Sequence, residues 1–170
     1  MQKTIRILCY NPKVFMSEQP LLETWQINNR VNLYLLEAIP PERLDSTLLS
    51  KGRSVAEQFA HIHNVRLMWL KASLPESLAE LTKIEKENAA DKTLLQKSLT
   101  ESGEAVSELL AKAFEQDGKV KGFKPHATAF VGYLVAHEAH HRSQIILALK
   151  QSGHALEKKI LFGIWEWGVR

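Results

Sequence analysis

The chain has 170 residues and one cysteine, Cys9; that length suits one domain spanning 1–170 with core enough to need no disulfides, and a lone cysteine excludes an intrachain disulfide framework. The formal net charge is +3 and the pI is about 9.0, but Lys and Arg are dispersed among Asp and Glu with no basic stripe interleaved with aromatics, so a nucleic-acid partner is not expected. No apolar run reaches the ~20 residues of a membrane span, and Ile7-Leu8-Cys9-Tyr10 is too short for a signal segment, so a cytoplasmic protein with no membrane partner is expected.

Apart from a short extended piece at 4–8, the apolar spacing is helical. The first predicted helix covers 21–39, with Leu21, Leu22, Trp25, Leu35, Leu36 and Ile39 on one broad stripe, and Pro40-Pro41 stops it. Asn28, Asn29 and Asn32 lie on or beside that stripe, which fits either solvent-facing asparagines or a polar site inside a bundle. After a connector, Ser54 with Glu57 reads as a capping box opening a second helix over 55–72. Val55, Phe59, Ile62, Val65, Arg66 and Trp69 define its main face.

The polar stretch 75–92 predicts a linking segment with a short helix. A third long helix follows over 91–114, weakened in the middle by Gly103. The fourth and clearest helix spans 126–153, with Gly153 as its stop. The aromatic tail, with Trp165 and Trp167, is expected to pack back on the other helices. Four long helices with modest connectors predict an all-α four-helix bundle, an architecture that builds metal sites between facing helices.

The chain holds seven histidines. His137 and His141 are four apart on the fourth helix, so their rings leave one face a turn apart, as two ligands of one ion would. The second helix adds His61 and His63 in an apolar context, and a third imidazole from it would complete a three-histidine set with open coordination positions. Spacing does not choose cleanly between those two; His61 lies nearer the centre of the face, which places His63 beside the site or in water. His140 points about 100° away from His141, toward the rim or an outer role to the ion. His126 and His154, at the two ends of that helix, read as surface residues.

The run His137-Glu138-Ala139-His140-His141 is also H-E-x-x-H, the zinc-peptidase string. A peptidase needs Glu138 as general base and a further ligand downstream, for which only His154, Glu157 and Glu166 are candidates. The longer extension of that motif is absent, with Gln144 and Leu147 at its positions, and no strand precedes the helix to hold a peptide.

The stretches "SVAEQFAHIHNVRLMWL" (54–70) and "HEAHHRSQIILALKQSG" (137–153) resemble the DinB/YfiT-like family of small metal-binding bundles, which is unrelated to the DNA polymerase sharing the first name. The closing "GIWEWG" (163–168) is similar to the tail of one branch. The resemblance implies an up-down-down-up four-helix bundle, often a homodimer, holding nickel or zinc on one histidine of the second helix and two of the last. Carried over by position, these are His61, His137 and His141. Arg142 and Gln144 match the family motif, Ser143 stands where the family often has Gly, and Glu138 falls at a variable position. His63, His140, Arg142, Gln144 and Glu138 are thus candidates for an outer shell around the ion. Some members resemble transferases or isomerases that use low-molecular-weight thiols. The expectation is a metal-dependent S-transferase or hydrolase acting on a small molecule. The alternatives are a zinc peptidase and a non-catalytic, metal-stabilised stress-response bundle.

Overall fold

The computed structural model describes residues 18–170. Four long helices carry the fold: α1 (Glu18–Glu37), α2 (Val55–Ser73), α3 (Lys92–Glu115) and α4 (Ala127–Gln151). A short helix, α5 (Lys158–Gly163), leads into the tail. No strand occurs among the described residues, and the piece expected at 4–8 lies outside them, as does Cys9. No described helix is long and apolar enough to cross a membrane.

Local chemistry sets the helix ends. Ser54 and Glu57 close the capping box on α2, with Glu57 N donating to Ser54 Oγ at 3.2 Å and Ser54 N donating to Glu57 Oε2 at 2.7 Å. Asp91 caps α3 by accepting from Leu94 N. His126 does the same for α4 through Nδ1, so this exposed ring has a structural task. Gly153 takes φ +79 beyond the end of α4, a conformation that suits glycine.

The segment 75–92 is a linking segment, as expected, but 3-10 turns take the place of its short helix. It forms two 3-10 turns, Pro75–Leu78 and Lys86–Asn88, joined by irregular chain. The reason is tertiary. Asn64 on α2 grips Ile84 from both sides, its Nδ2 donating to Ile84 O at 2.9 Å and its Oδ1 accepting from Ile84 N at 3.0 Å. These bonds take the place of the intrahelical partners that Ile84 would need, and they seat its side chain in the core.

Pairings between helices give their directions. Trp25 and Asn29 meet Gly103, whereas Lys92 reaches the carbonyls of Glu37 and Ile39, so α1 and α3 run antiparallel. His63 meets Ser98 and Arg66 meets Leu99 and Ser102, so α2 and α3 run parallel. Gln58 meets Gln144 and Arg66 meets Glu138, so α2 and α4 run antiparallel. The bundle is therefore up-down-down-up, and 75–92 is the long crossover that a parallel α2–α3 pair requires.

The core is apolar at both ends and charged in the middle. Leu35, Leu36, Phe59, Ile62, Leu99 and Ile145 fill one half, and Trp25, Leu70, Val106, Leu110, Phe130 and Leu134 fill the other. Between them lie the buried side chains of Asn28, Asn32, Arg66, Ser102, Glu138 and Arg142. Gly103 belongs to this level. Its carbonyl accepts from Trp25 Nε1 at 2.9 Å, and a Cβ there would collide with the Asn29 side chain, which explains a helix-weakening residue in mid-helix.

The tail packs only in part. Gly163 sits against the Tyr34 hydroxyl, and the Arg170 guanidinium lies over the Tyr34 ring at 3.7 Å. Trp167 is half-buried, but Trp165 stays 77% exposed, contrary to the expectation that both indoles would pack.

Candidate metal centre

Antiparallel packing of α2 on α4 brings His61 opposite His137 and His141. The ring centroids lie 5.5 Å apart for His61–His137, 4.6 Å for His61–His141 and 4.5 Å for His137–His141. One nitrogen from each ring falls within 4.8 Å of the other two. Metal–nitrogen bonds of about 2.0–2.1 Å put two ligands of one ion at most about 4.2 Å apart. Three ligands around one tetrahedral ion lie closer still, about 3.4 Å apart; His137 Nε2 and His141 Nε2 already lie 3.1 Å apart, so a modest side-chain adjustment, chiefly of His61, would let this cluster hold a divalent cation.

His63 is not part of it. This buried ring lies between two backbone carbonyls, Nδ1 at 3.0 Å from Ser98 O and Nε2 at 2.9 Å from Thr82 O. Spacing leaves His61 and His63 open; the structure turns His61 to α4 and His63 to α3 and the crossover.

The electronic state suits a cation. Burial pushes all three rings below the ordinary histidine range, His141 to about 3, and their mutual proximity and the nearby Arg53 push His141 the same way. At neutral pH the rings are therefore uncharged and have lone pairs to give. His137 Nε2 and His141 Nε2 approach to 3.1 Å, and His137 Nδ1 is buried with no hydrogen-bond partner. Such a polar nitrogen cluster is costly as it stands, and a bound cation would compensate it.

Stability of the metal-free protein inherits a pH dependence from these rings. They resist protonation when folded and accept protons near pH 6.5 when unfolded. Stability is therefore expected to be level above about 6.5 and to fall as pH drops toward about 3. Urea unfolding of metal-free protein across that range checks this; unchanged midpoints down to the lower limit would refute it.

Gln58, which the sequence reading missed, orients the site. Its Oε1 lies 2.6 Å from His141 Nδ1 and accepts that N–H, which leaves Nε2 of His141 as the free ligand atom. Gln58 Nε2 donates to Gln144 Oε1 at 2.6 Å, and Gln144 Nε2 lies 2.6 Å from Nε2 of the exposed His140. Gln144 and His140 thus belong to a chain of amides outside the ligands. The missed signal was an amide one turn before His61 on an otherwise apolar face. Gln58→Leu is expected to lower metal affinity about 10–100-fold with the fold intact, measured by competition with a chelating dye.

Glu138 and Arg142 lie elsewhere, which corrects their expected place around the ion. Glu138 Oε2 accepts from Asn28 Nδ2 and Asn32 Nδ2, both at 2.6 Å, and from Arg66 Nη2 at 3.0 Å, while its Oε1 accepts from Arg66 Nε at 2.7 Å. Arg142 Nη1 donates to Asn28 Oδ1 and Asn32 Oδ1 at 2.9 and 2.7 Å. The asparagines noted in the sequence are thus a polar site inside the bundle. They face the next residue round α4 from each ligand, about 100° from it.

The downstream peptidase candidates are also committed elsewhere. Glu166 pairs with Arg170, His154 lies 2.8 Å from Arg43, and Glu157 is exposed at the start of α5. Among the described residues the one metal-competent cluster is all imidazole.

The model of the DinB family matches residues 13–159. The chain belongs to the DinB family. No curated protein and no solved structure matches it. The family match ends before the aromatic tail, so that part of this DinB protein stands on its own packing. His61, His137 and His141 all lie within the matched span.

Proposed function

We propose that this DinB protein is a metal-dependent enzyme that carries nickel or zinc on His61, His137 and His141 and transfers a group to a low-molecular-weight thiol. The carrying observation is the convergence of three uncharged imidazoles beside an open cleft of about 320 Å³, of which His61 forms part of the wall. Three protein ligands leave positions for water or substrate, as catalytic sites require. A bound divalent ion supplies a lowered pKa for a coordinated thiol or water. The chain's own part is to hold three neutral nitrogens together, with Gln58 fixing the tautomer of His141. Arg53, Lys83 and Lys86 line the cleft with Glu57 and Glu85, a mixed-charge wall suited to a polar small molecule.

The thiol proposed is an external, diffusible one; the single cysteine of the chain, Cys9, lies outside the described residues. In balance, the sulfur–hydrogen bond gives way to a sulfur–carbon bond, and the proton leaves with the displaced group. Hydrolysis is the same proposal with water in place of thiol. The test is turnover of metal-loaded protein with a panel of thiols and electrophilic acceptors. Metal-dependent product that disappears in His141→Ala supports the reading. A loaded protein with no exchangeable water on the ion and no turnover with any thiol or with water would instead support a structural ion.

The zinc-peptidase alternative loses its base. Glu138 is 1% exposed and both its oxygens are taken by Arg66 and two asparagines, so it cannot serve a metal-bound water.

A further inference from the structure

A second pocket lies behind α4, between that helix and the C-terminal tail. It measures about 350 Å³ and its walls include Val135, Ala139, Ile146, Leu161, Ile164 and Trp165. Ala139 and Ile146 project from the side of α4 opposite His137 and His141, so this pocket and the metal centre are separate. Arg142 forms part of the same wall, although its side chain is only 7% exposed.

The charge balance around Arg142 is incomplete. Arg66 and Glu138 form a two-bond ion pair, while Arg142 donates Nη1 to two neutral asparagine oxygens. Among the described residues, Nε and Nη2 of Arg142 meet no acceptor. The buried layer thus holds two guanidinium groups against one carboxylate. Residues 1–17 contain no Asp or Glu to supply another. A buried cation is normally paired, and a planar guanidinium whose Nε and Nη2 meet no acceptor among the described residues matches a carboxylate.

We propose that this pocket binds a small carboxylate with an apolar body, the carboxylate meeting Nε and Nη2 of Arg142 and the body resting on Ile146, Leu161, Ile164 and Trp165. A few polar groups in an apolar pocket of this size are what small-ligand sites offer. The site does not depend on the metal chemistry proposed above.

Octanoate and 1-octanol are the probes, titrated into the metal-loaded full chain and followed by calorimetry and by the emission of Trp165 and Trp167, both of which line the pocket. Octanoate is expected to bind saturably, with 1-octanol weaker by about tenfold or more. Arg142→Gln is expected to weaken octanoate by a similar factor. Ala139→Phe, which fills the pocket and leaves the arginine in place, is expected to abolish binding without unfolding the chain. His141→Ala is expected to leave octanoate binding unchanged. Equal affinity for the two probes, binding that survives Ala139→Phe, or loss in His141→Ala would overturn the proposal. So would absence of saturable binding, including the case where a second copy of the chain occupies the pocket.

Discussion

Glu138→Ala is expected to cost about 3–5 kcal/mol of stability, because removing one member of a buried ion pair strands the other. Here the stranded groups are the Arg66 guanidinium and the Nδ2 amides of Asn28 and Asn32, all buried in mid-bundle. Domains of this size are stable by about 5–15 kcal/mol in total, so the variant should unfold at a far lower urea midpoint. Glu138→Gln should fare little better, since its amide group would set a donor against donors. A catalytic base would behave in the opposite way, with stability kept and activity lost. Urea unfolding of both variants therefore separates the two roles. Unchanged midpoints would return Glu138 to the reacting centre.

His141→Ala is expected to empty the metal site. This ring is the one whose tautomer Gln58 fixes and whose Nε2 lies closest to His137, at 3.1 Å. Three-ligand sites bind weakly with one ligand gone, so elemental analysis after dialysis should find no retained ion. The same variant removes two nitrogens that burial keeps uncharged, so the metal-free fold should not suffer greatly. Full metal occupancy in His141→Ala would refute the assignment.

Much of this was legible in the sequence because it rests on local periodicity. The capping box at Ser54 and Glu57, the stop at Gly153 and the His137–His141 pair all follow from spacing along one helix. The central charged layer was not legible, because its partners come from α1, α2 and α4 and meet only on packing. Arg66 sits on what reads as an apolar face, yet its guanidinium lies over the Trp25 ring and ends on Glu138. The irregular path of the linker at 75–92 was not legible for a similar reason. Its composition favours helix, and the grip of Asn64 on Ile84 overrides that preference. The H-E-x-x-H string shows how a motif can match while its geometry does not: one residue step on α4 turns Glu138 from the ligands into the core.

The most direct test of the central claim, one ion held between α2 and α4 by three imidazoles, is the metal content of three variants measured side by side after equilibrium dialysis: His61→Ala, His63→Ala and Glu166→Ala. The expected result is that His61→Ala loses the ion while His63→Ala and Glu166→Ala retain it in their folded fraction. Retention in His61→Ala together with loss in His63→Ala or Glu166→Ala would contradict it.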